Sequence, residues 1–402
     1  MDNNQTNGPV LRILIYSHAF APHIGGIETV VMSLATGLAG GKRADGTSDA
    51  RVTVVTRTPR GVFDDASLPF KVVRQPSLRE LLHLIRVTDV VHLAGPVFLP
   101  LMAAFLLCKP AVVEHHGFHT ICPNGQLLHE PTQKPCPGHF MAGRHRECFR
   151  CNANVGHPNS LKLWLLTFPR RWLCTRITAN IMPTNWLGKQ LQLPRSKTIY
   201  HGLPEKMCIG LPHPSSLQTT FAFLGRLVST KGVQTLLEAA QQLSAEGIPF
   251  LLKVIGDGPD RKVLQQQAVT MGLRESVQFL GYLPPESLEE HLAEVAVVVV
   301  PSLAGEVFGM VAAESMSRGK LVVVSDVGAM REVIGNAGLC FPPGDINGLA
   351  SCLRRALKDP GLVVEMGTKA RNRAHDLFRV EHMAFDHLAV YHQLMQESGR
   401  LL

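Results

Sequence analysis

Two glutamates eight positions apart, Glu306 and Glu314, carry the most legible chemistry in this chain. The apolar run VAVVVVPS precedes them and reads as a buried strand. Glu306 follows at the strand's end. A short turn, Val307-Phe308-Gly309, then leads into a helical pattern that carries Glu314. Open α/β sheets bind their ligands at such strand-to-helix junctions. The helix start between the two acids offers free N–H groups to an anion. Carboxylates that grip hydroxyls, beside a helix end that holds a phosphate, describe a ligand such as a nucleotide sugar.

Other reactive groups fall at comparable places. Arg226 and Lys231 lie in RLVSTKG, after the strand TFAFLG, and are flanked by Gly225 and Gly232. Arginine forks onto a diphosphate and lysine adds a point charge beside it. Asp257 and Gly258 end the strand LLKVIG, a position suited to a nucleoside edge. Gly25 and Gly26, in HAFAPHIGG after the strand LRILIYS, either let backbone approach a phosphate or make a tight turn only. His115, His116 and His119 stand at and just beyond the strand AVVEH. A histidine there can hydrogen-bond a sugar hydroxyl or phosphate without ionising. GxGxxG, GxxxxGK[ST] and D-x-D are all absent from the sequence. That argues against a standard dinucleotide site, a P-loop, and a metal held on a diphosphate by an acidic pair. Arg226, Lys231 and helix N-termini would neutralise the leaving group instead.

These residues need two sets of elements to hold them. The chain has 402 residues, enough for two domains with full cores. Strand, loop and helix alternate in both halves, which predicts two Rossmann-like, doubly wound α/β domains facing each other across a cleft. The first is expected over residues 1–210 and the second over 211–379, joined by a Pro-rich linker at 204–219. A last helix, within 380–402, is expected to pack back on the first. Residues 120–158 break the pattern as a long insertion rich in Pro, Gly, His and Cys. Its cysteines, Cys122, Cys136, Cys148 and Cys151, suit either a structural zinc or free thiols. The segment 160–177, SLKLWLLTFPRRWLCTRI, suits either a patch lying on anionic membrane or a core helix broken by Pro169. Asn185 reads as a helix cap after the strand IMPT.

Net charge is +8, and residues 141–200 hold ten Lys or Arg against one acid, Glu147. Such a stretch suits either a solvated basic face or the attraction of phosphates or anionic lipid; no nucleic-acid module accompanies it. No apolar run reaches transmembrane length and the polar start lacks a secretion pattern, so a cytoplasmic protein, peripheral on the inner membrane face, is expected.

Together the segments HAFAPHIGGIETVV, FLGRLVSTKGVQTLLEA, VIGDGP and PSLAGEVFGMVAAESMSRGKLVVVSDVGAMREVI, with PPGD after them, resemble glycosyltransferase family four, retaining enzymes of the GT-B fold among the glycosyl transferases of group 1. The loop HHGFHTICPNGQLL looks like a variant of the family's active-site loop. The resemblance spans about residues 12–375 and implies the following roles. His116 takes the place of the active-site histidine, with His119 the nearest rival. Arg226 and Lys231 hold the diphosphate, and Glu306 contacts the donor sugar. Phe308, Gly309 and Met310 present backbone to sugar and phosphate, Glu314 binds the ribose, and Gly25 and Gly26 approach the phosphate. It implies retaining sugar transfer from a UDP- or GDP-sugar to a glycan or lipid-linked hydroxyl, with no catalytic cofactor. The alternatives are a sugar-nucleotide binder without transferase activity and a GT-B epimerase or phosphorylase.

Overall fold

The computed structural model describes residues 10–41, 50–204 and 220–399. The expected linker at 204–219, apart from Pro204, lies outside the described residues. The chain divides into two compact units. One holds Met1–Gln126, Gly138–Pro204 and Arg379–Leu402; the other holds Leu127–Pro137 and Glu205–Phe378.

The first unit runs β1 (Leu11–Ser17), α1 (Gly26–Gly40), β2 (Ala50–Thr56), β3 (Lys71–Arg74), α2 (Leu78–Val87), β4 (Val90–Ala94), α3 (Phe98–Leu106) and β5 (Ala111–Glu114). The expected insertion then carries short elements of its own. These are a two-stranded hairpin, β6 (Leu128–His129) with β7 (Lys134–Pro135), which groups with the second unit, and α4 (His145–Cys151). After them come α5 (His157–Cys174), β8 (Ala179–Met182), α6 (Asn185–Leu191) and β9 (Ser196–Thr198). Seven strands form a parallel sheet in the order β3-β2-β1-β4-β5-β8-β9. Its order reverses between β1 and β4.

The second unit runs β10 (Thr220–Leu224), α7 (Val233–Ala245), β11 (Leu251–Ile255), α8 (Arg261–Thr270), β12 (Val277–Gly281), α9 (Pro285–Ala293), β13 (Val297–Val300), α10 (Met310–Ser317), β14 (Leu321–Ser325), α11 (Met330–Ile334), β15 (Leu339–Phe341), α12 (Ile346–Lys358) and α13 (Pro360–Leu377). Its parallel sheet has the order β12-β11-β10-β13-β14-β15, with the reversal between β10 and β13. Val297, Val298, Val299 and Val300 are all buried, as a strand covered on both faces requires. Each such valine contributes about 1.5–3 kcal/mol of burial free energy.

The chain ends in α14 (Val380–Glu397), which belongs to the first unit. Gly37 on α1 allows the approach: a Cβ there would lie 2.9 Å from that of Ala384.

Two local expectations fail. Pro169 does not break the helix at 160–177; α5 continues through it. The carbonyl that a non-proline residue 169 would bond belongs to Leu165, a half-exposed residue, so the interruption falls on the open side of the helix. Asn185 is not the cap. Thr184 Oγ1 accepts from Leu187 N at 3.3 Å, and Asn185 is the first helical residue. Among the described residues no helix is long and apolar enough to cross a membrane.

Candidate functional site

The second unit gathers its site at the switch point of its sheet. Arg226 and Lys231 sit in the loop after β10, and Glu306 in the loop after β13. Close backbone approaches fix both loops. Gly232 has φ of +67°, and a Cβ there would lie 2.0 Å from the Pro301 carbonyl oxygen. Leu303 N donates to Thr230 O at 2.8 Å. Gly328, with φ of +63°, leaves room for the Glu306 carbonyl, which a Cβ would meet at 1.9 Å. Ala329 N donates to that same carbonyl at 3.0 Å.

Glu306 is buried, and its Oε1 accepts from Lys231 Nζ at 2.6 Å and from Ser302 Oγ at 2.7 Å. Burial alone would push its carboxyl up; the Lys231 ammonium and the Ser302 hydroxyl outweigh it and hold the group below the ordinary carboxylate range. Lys231 and Glu306 are therefore one unit of charge. Arg226 differs: it is exposed, and its side chain makes no hydrogen bond or ion pair among the described residues. Glu314 lies on α10, half-buried, and desolvation raises its carboxyl to about 6 against the relief offered by Arg318. Gly309 caps α10 with φ of +92°. Phe308 turns its ring into the core against Phe378, centroids 5.3 Å apart. Met310 is the first helical residue.

Asp257 and Gly258 have local duties. Asp257 accepts from Gly258 N at 2.7 Å and from Arg261 Nη1 at 2.9 Å. A Cβ at Gly258 would lie 2.3 Å from Leu227 O, so this glycine lets two loops touch.

In the first unit, Gly25 caps α1 with extended backbone and Gly26 opens the helix. A Cβ at Gly25 would lie 2.5 Å from Glu28 Oε2, so a carboxylate of the chain reaches this helix start. His116 is the second residue after β5. Burial pushes its imidazole down to about 3 against the pull of Glu114, which keeps the ring neutral. Its ring stacks on that of His201, with centroids 5.1 Å apart. His115 is fully buried and faces Asn180 Oδ1 from Nε2 at 2.9 Å. Asn180 Nδ2 serves the carbonyls of Cys174 and Pro194, so Oδ1 is its accepting side and His115 Nε2 donates. His119 packs over Gly125, where a Cβ would overlap its ring at 1.8 Å. Cys122, Cys148 and Cys151 are buried in the first unit, and Asn124 reaches the sulfurs of Cys122 and Cys151 at 3.0 and 3.9 Å. Cys136 belongs to the hairpin. Among the described residues of the first unit, the side-chain groups close enough to share an ion are other ones: His92, Glu114 and His387; and Glu114, His116 and His201.

Sequence reasoning finds His116 but passes over Glu114, His92, His201 and His387. Glu114 is fully buried, with His92 Nε2 at 3.1 Å, His201 Nδ1 at 3.3 Å, His116 Nε2 at 3.7 Å and His387 Nε2 at 3.8 Å. The readable signal is a histidine inside an apolar strand, VVHLA.

Residues 214–373 match the family model described as glycosyl transferases group 1. The 2-deoxystreptamine glucosyltransferase of Streptomyces kanamyceticus is 30% identical over 192 residues, 47% of this chain and 49% of that protein. The phosphatidyl-myo-inositol mannosyltransferase of Mycolicibacterium smegmatis is 32% identical over 159 residues, 39% of this chain and 40% of that protein. The chain thus spans half or less of the length of these curated relatives. Among solved structures, the sucrose-phosphate synthase from Thermosynechococcus elongatus superposes with a TM-score of 0.72 at 20% identity, covering 96% of this chain and 100% of that one. Anabaena HepE in complex with UDP-glucose superposes at 0.68 with 18% identity, covering 97% and 100%. These likenesses show the fold, GT-B, with its two Rossmann-like α/β domains.

Proposed function

We propose that this protein is a retaining glycosyltransferase that moves a sugar from a nucleoside-diphosphate sugar to a hydroxyl acceptor. The observation that carries the reading is the arrangement at the second sheet's switch point. An exposed, unpaired Arg226 stands in the same loop as Lys231, which is bonded to the strand-end carboxylate Glu306. The region matched by the family model and the UDP-glucose bound by the HepE neighbour support it.

In this reading Arg226 and Lys231 hold the diphosphate, and Glu306 grips the donor sugar's hydroxyls. Glu314 takes the ribose hydroxyls, and Phe308, Gly309 and Met310 offer backbone. Asp257 and Gly258 border the nucleoside. His116 and the Gly25–Gly26 turn meet the donor's sugar and phosphate, His116 as a neutral hydrogen-bonding group. The acceptor oxygen attacks the anomeric carbon on the face the leaving group vacates. The bond to the β-phosphate oxygen breaks, and that oxygen takes the acceptor's proton. Charge on the departing phosphate is met by fixed cations rather than by a metal.

The acceptor is lipid-linked or anionic, and the protein sits on the inner face of a membrane. On α5 the apolar side chains Leu161, Leu165, Phe168 and Trp172 are about half exposed at helical spacing. Exposed Arg144, Arg146, Arg150 and Arg176 lie near them in the chain.

The test is nucleotide release from a panel of UDP- and GDP-sugars, with and without lipid acceptors. Acceptor-dependent release from one donor is expected, with product of unchanged anomeric configuration. Binding of nucleotide without release under any acceptor would sink the enzyme reading and leave a binder.

A further inference from the structure

The buried carboxylate of the first unit has a use that sugar transfer does not explain. His92 on β4, Glu114 at the end of β5 and His387 on α14 are each fully buried. One ligating atom from each lies within 4.8 Å of the other two. Glu114 Oε2 is 3.1 Å from His92 Nε2 and 3.8 Å from His387 Nε2. Around a tetrahedral zinc with bonds of about 2.0–2.2 Å, neighbouring donor atoms stand roughly 3.4 Å apart. The two separations straddle that value.

The outer nitrogens fix which way each ring is turned. His387 Nδ1 lies 2.8 Å from the Met383 carbonyl oxygen. A carbonyl only accepts, so Nδ1 carries the hydrogen and donates. In the neutral ring Nε2 then points a lone pair at a carboxylate oxygen that also has only lone pairs. At 3.8 Å this contact is too long for a hydrogen bond, and Nε2 has no hydrogen-bond partner. Two acceptors facing each other in a dry site are unfavourable unless a cation lies between them. His92 Nδ1 is 2.9 Å from Tyr391 Oη, a group that can accept its hydrogen and leave Nε2 free to ligate. Metal-binding histidines are held with the outer N–H tied to an oxygen acceptor and the inner nitrogen turned to the ion, as these two rings are disposed toward the space beside Glu114.

We propose that His92, Glu114 and His387 bind a divalent transition-metal ion, zinc by the match of two imidazoles and one carboxylate. The ion fastens α14 to the middle of the first sheet. His116 Nε2 lies 3.7 Å from the same carboxylate oxygen, so the ion also sets the charge beside that histidine. The cysteines of residues 122–151 take no part.

Elemental analysis of the full chain, purified without a metal-affinity tag, tests this. At least about one equivalent of zinc per chain is expected. His387→Gln and Glu114→Gln should each lose about one equivalent and melt at lower temperature, with circular dichroism confirming the fold. Cys148→Ser should keep that equivalent. Cobalt-exchanged wild-type protein should show ligand-field absorption from nitrogen and oxygen donors; this decides the matter even where a variant fails to fold. Three outcomes overturn the proposal. One is wild-type protein that carries no zinc and whose melting is unmoved by zinc on refolding. Another is metal kept by both glutamine variants and lost in Cys148→Ser. The last is a cobalt spectrum that shows thiolate charge transfer alone.

Discussion

Glu114 closes β5 and Glu306 lies in the loop after β13, and their surroundings differ. Each lies on the carboxyl-end side of a parallel sheet, and each is held ionised below the ordinary carboxylate range. Glu306 faces one lysine whose side chain is 34% exposed, on a loop with a free arginine. Glu114 faces four imidazoles and no open solvent. A carboxylate paired with a partly exposed cation can exchange that partner for a ligand at small cost. One enclosed by rings from β4, the β5 loop, the β9 loop and α14 cannot, so it holds elements together rather than exchanging ligands with solvent. In the proposed reading the same residue type serves as a grip in one unit and as an anchor in the other, and access to solvent makes the difference.

The comparison breaks most visibly at Arg226. Arg226→Ala should cut turnover by about 10²–10³ with an unchanged melting temperature, because the side chain is exposed and supports nothing else. Near-normal nucleotide release would remove the grip from the second unit. Gly328→Ala places a side chain against the Glu306 carbonyl at positive φ and should cost about 2–4 kcal/mol in denaturant unfolding; a neutral result would show that Glu306 is not clamped. Lys231→Met should cost roughly 1–3 kcal/mol, less than a fully buried pair would, since solvent screens the lysine.

Acid sharpens the contrast within the second unit. Glu306 is depressed, so its contribution is present above the ordinary value of 4.5 and is lost as pH falls through its folded value. Glu314 is raised to about 6 and has the opposite sign: its contribution is full below 4.5 and is lost as pH rises through about 6. If ionised Glu314 holds the ribose, nucleotide affinity measured by calorimetry should weaken below about pH 6, and Glu314→Gln should flatten that profile. The smallest effect is expected at the anchor. Tyr391→Phe removes the hydroxyl that meets His92 and should cost about 1–2 kcal/mol while leaving nucleotide affinity unchanged; altered affinity would mean the two carboxylates are coupled.

The residues of the proposed grip are readable in the sequence and the anchor is not, for a physical reason. Arg226, Lys231, Glu306 and Glu314 lie in loops and a helix start whose strand–turn–helix pattern is local, so periodicity places them. Glu114 gains its role from segments far away in the chain: His92 and Tyr391 are 299 positions apart. No local pattern encodes that convergence. α2 was within reach, with Ser77 capping Glu80 N at 3.2 Å and Leu81 and Ile85 on its buried face. α3, FLPLMAAFL, is apolar all round and shows no period to read. The lysine–glutamate bond between Lys231 and Glu306 was equally out of reach, because the two groups appear in the sequence only as separate loop residues.

The return of α14 to the first unit also orders the making of the molecule. The second unit's strands and helices from Thr220 to Leu377 are contiguous and can close as soon as they emerge from the ribosome. The first unit begins earlier and finishes later. Its sheet lacks His387 and Tyr391 until the last described helix is synthesised, so Glu114 waits with its neighbourhood incomplete while the rest of the chain is already folding. Strands of the first unit made well before Thr220 are thus among the last parts to be finished.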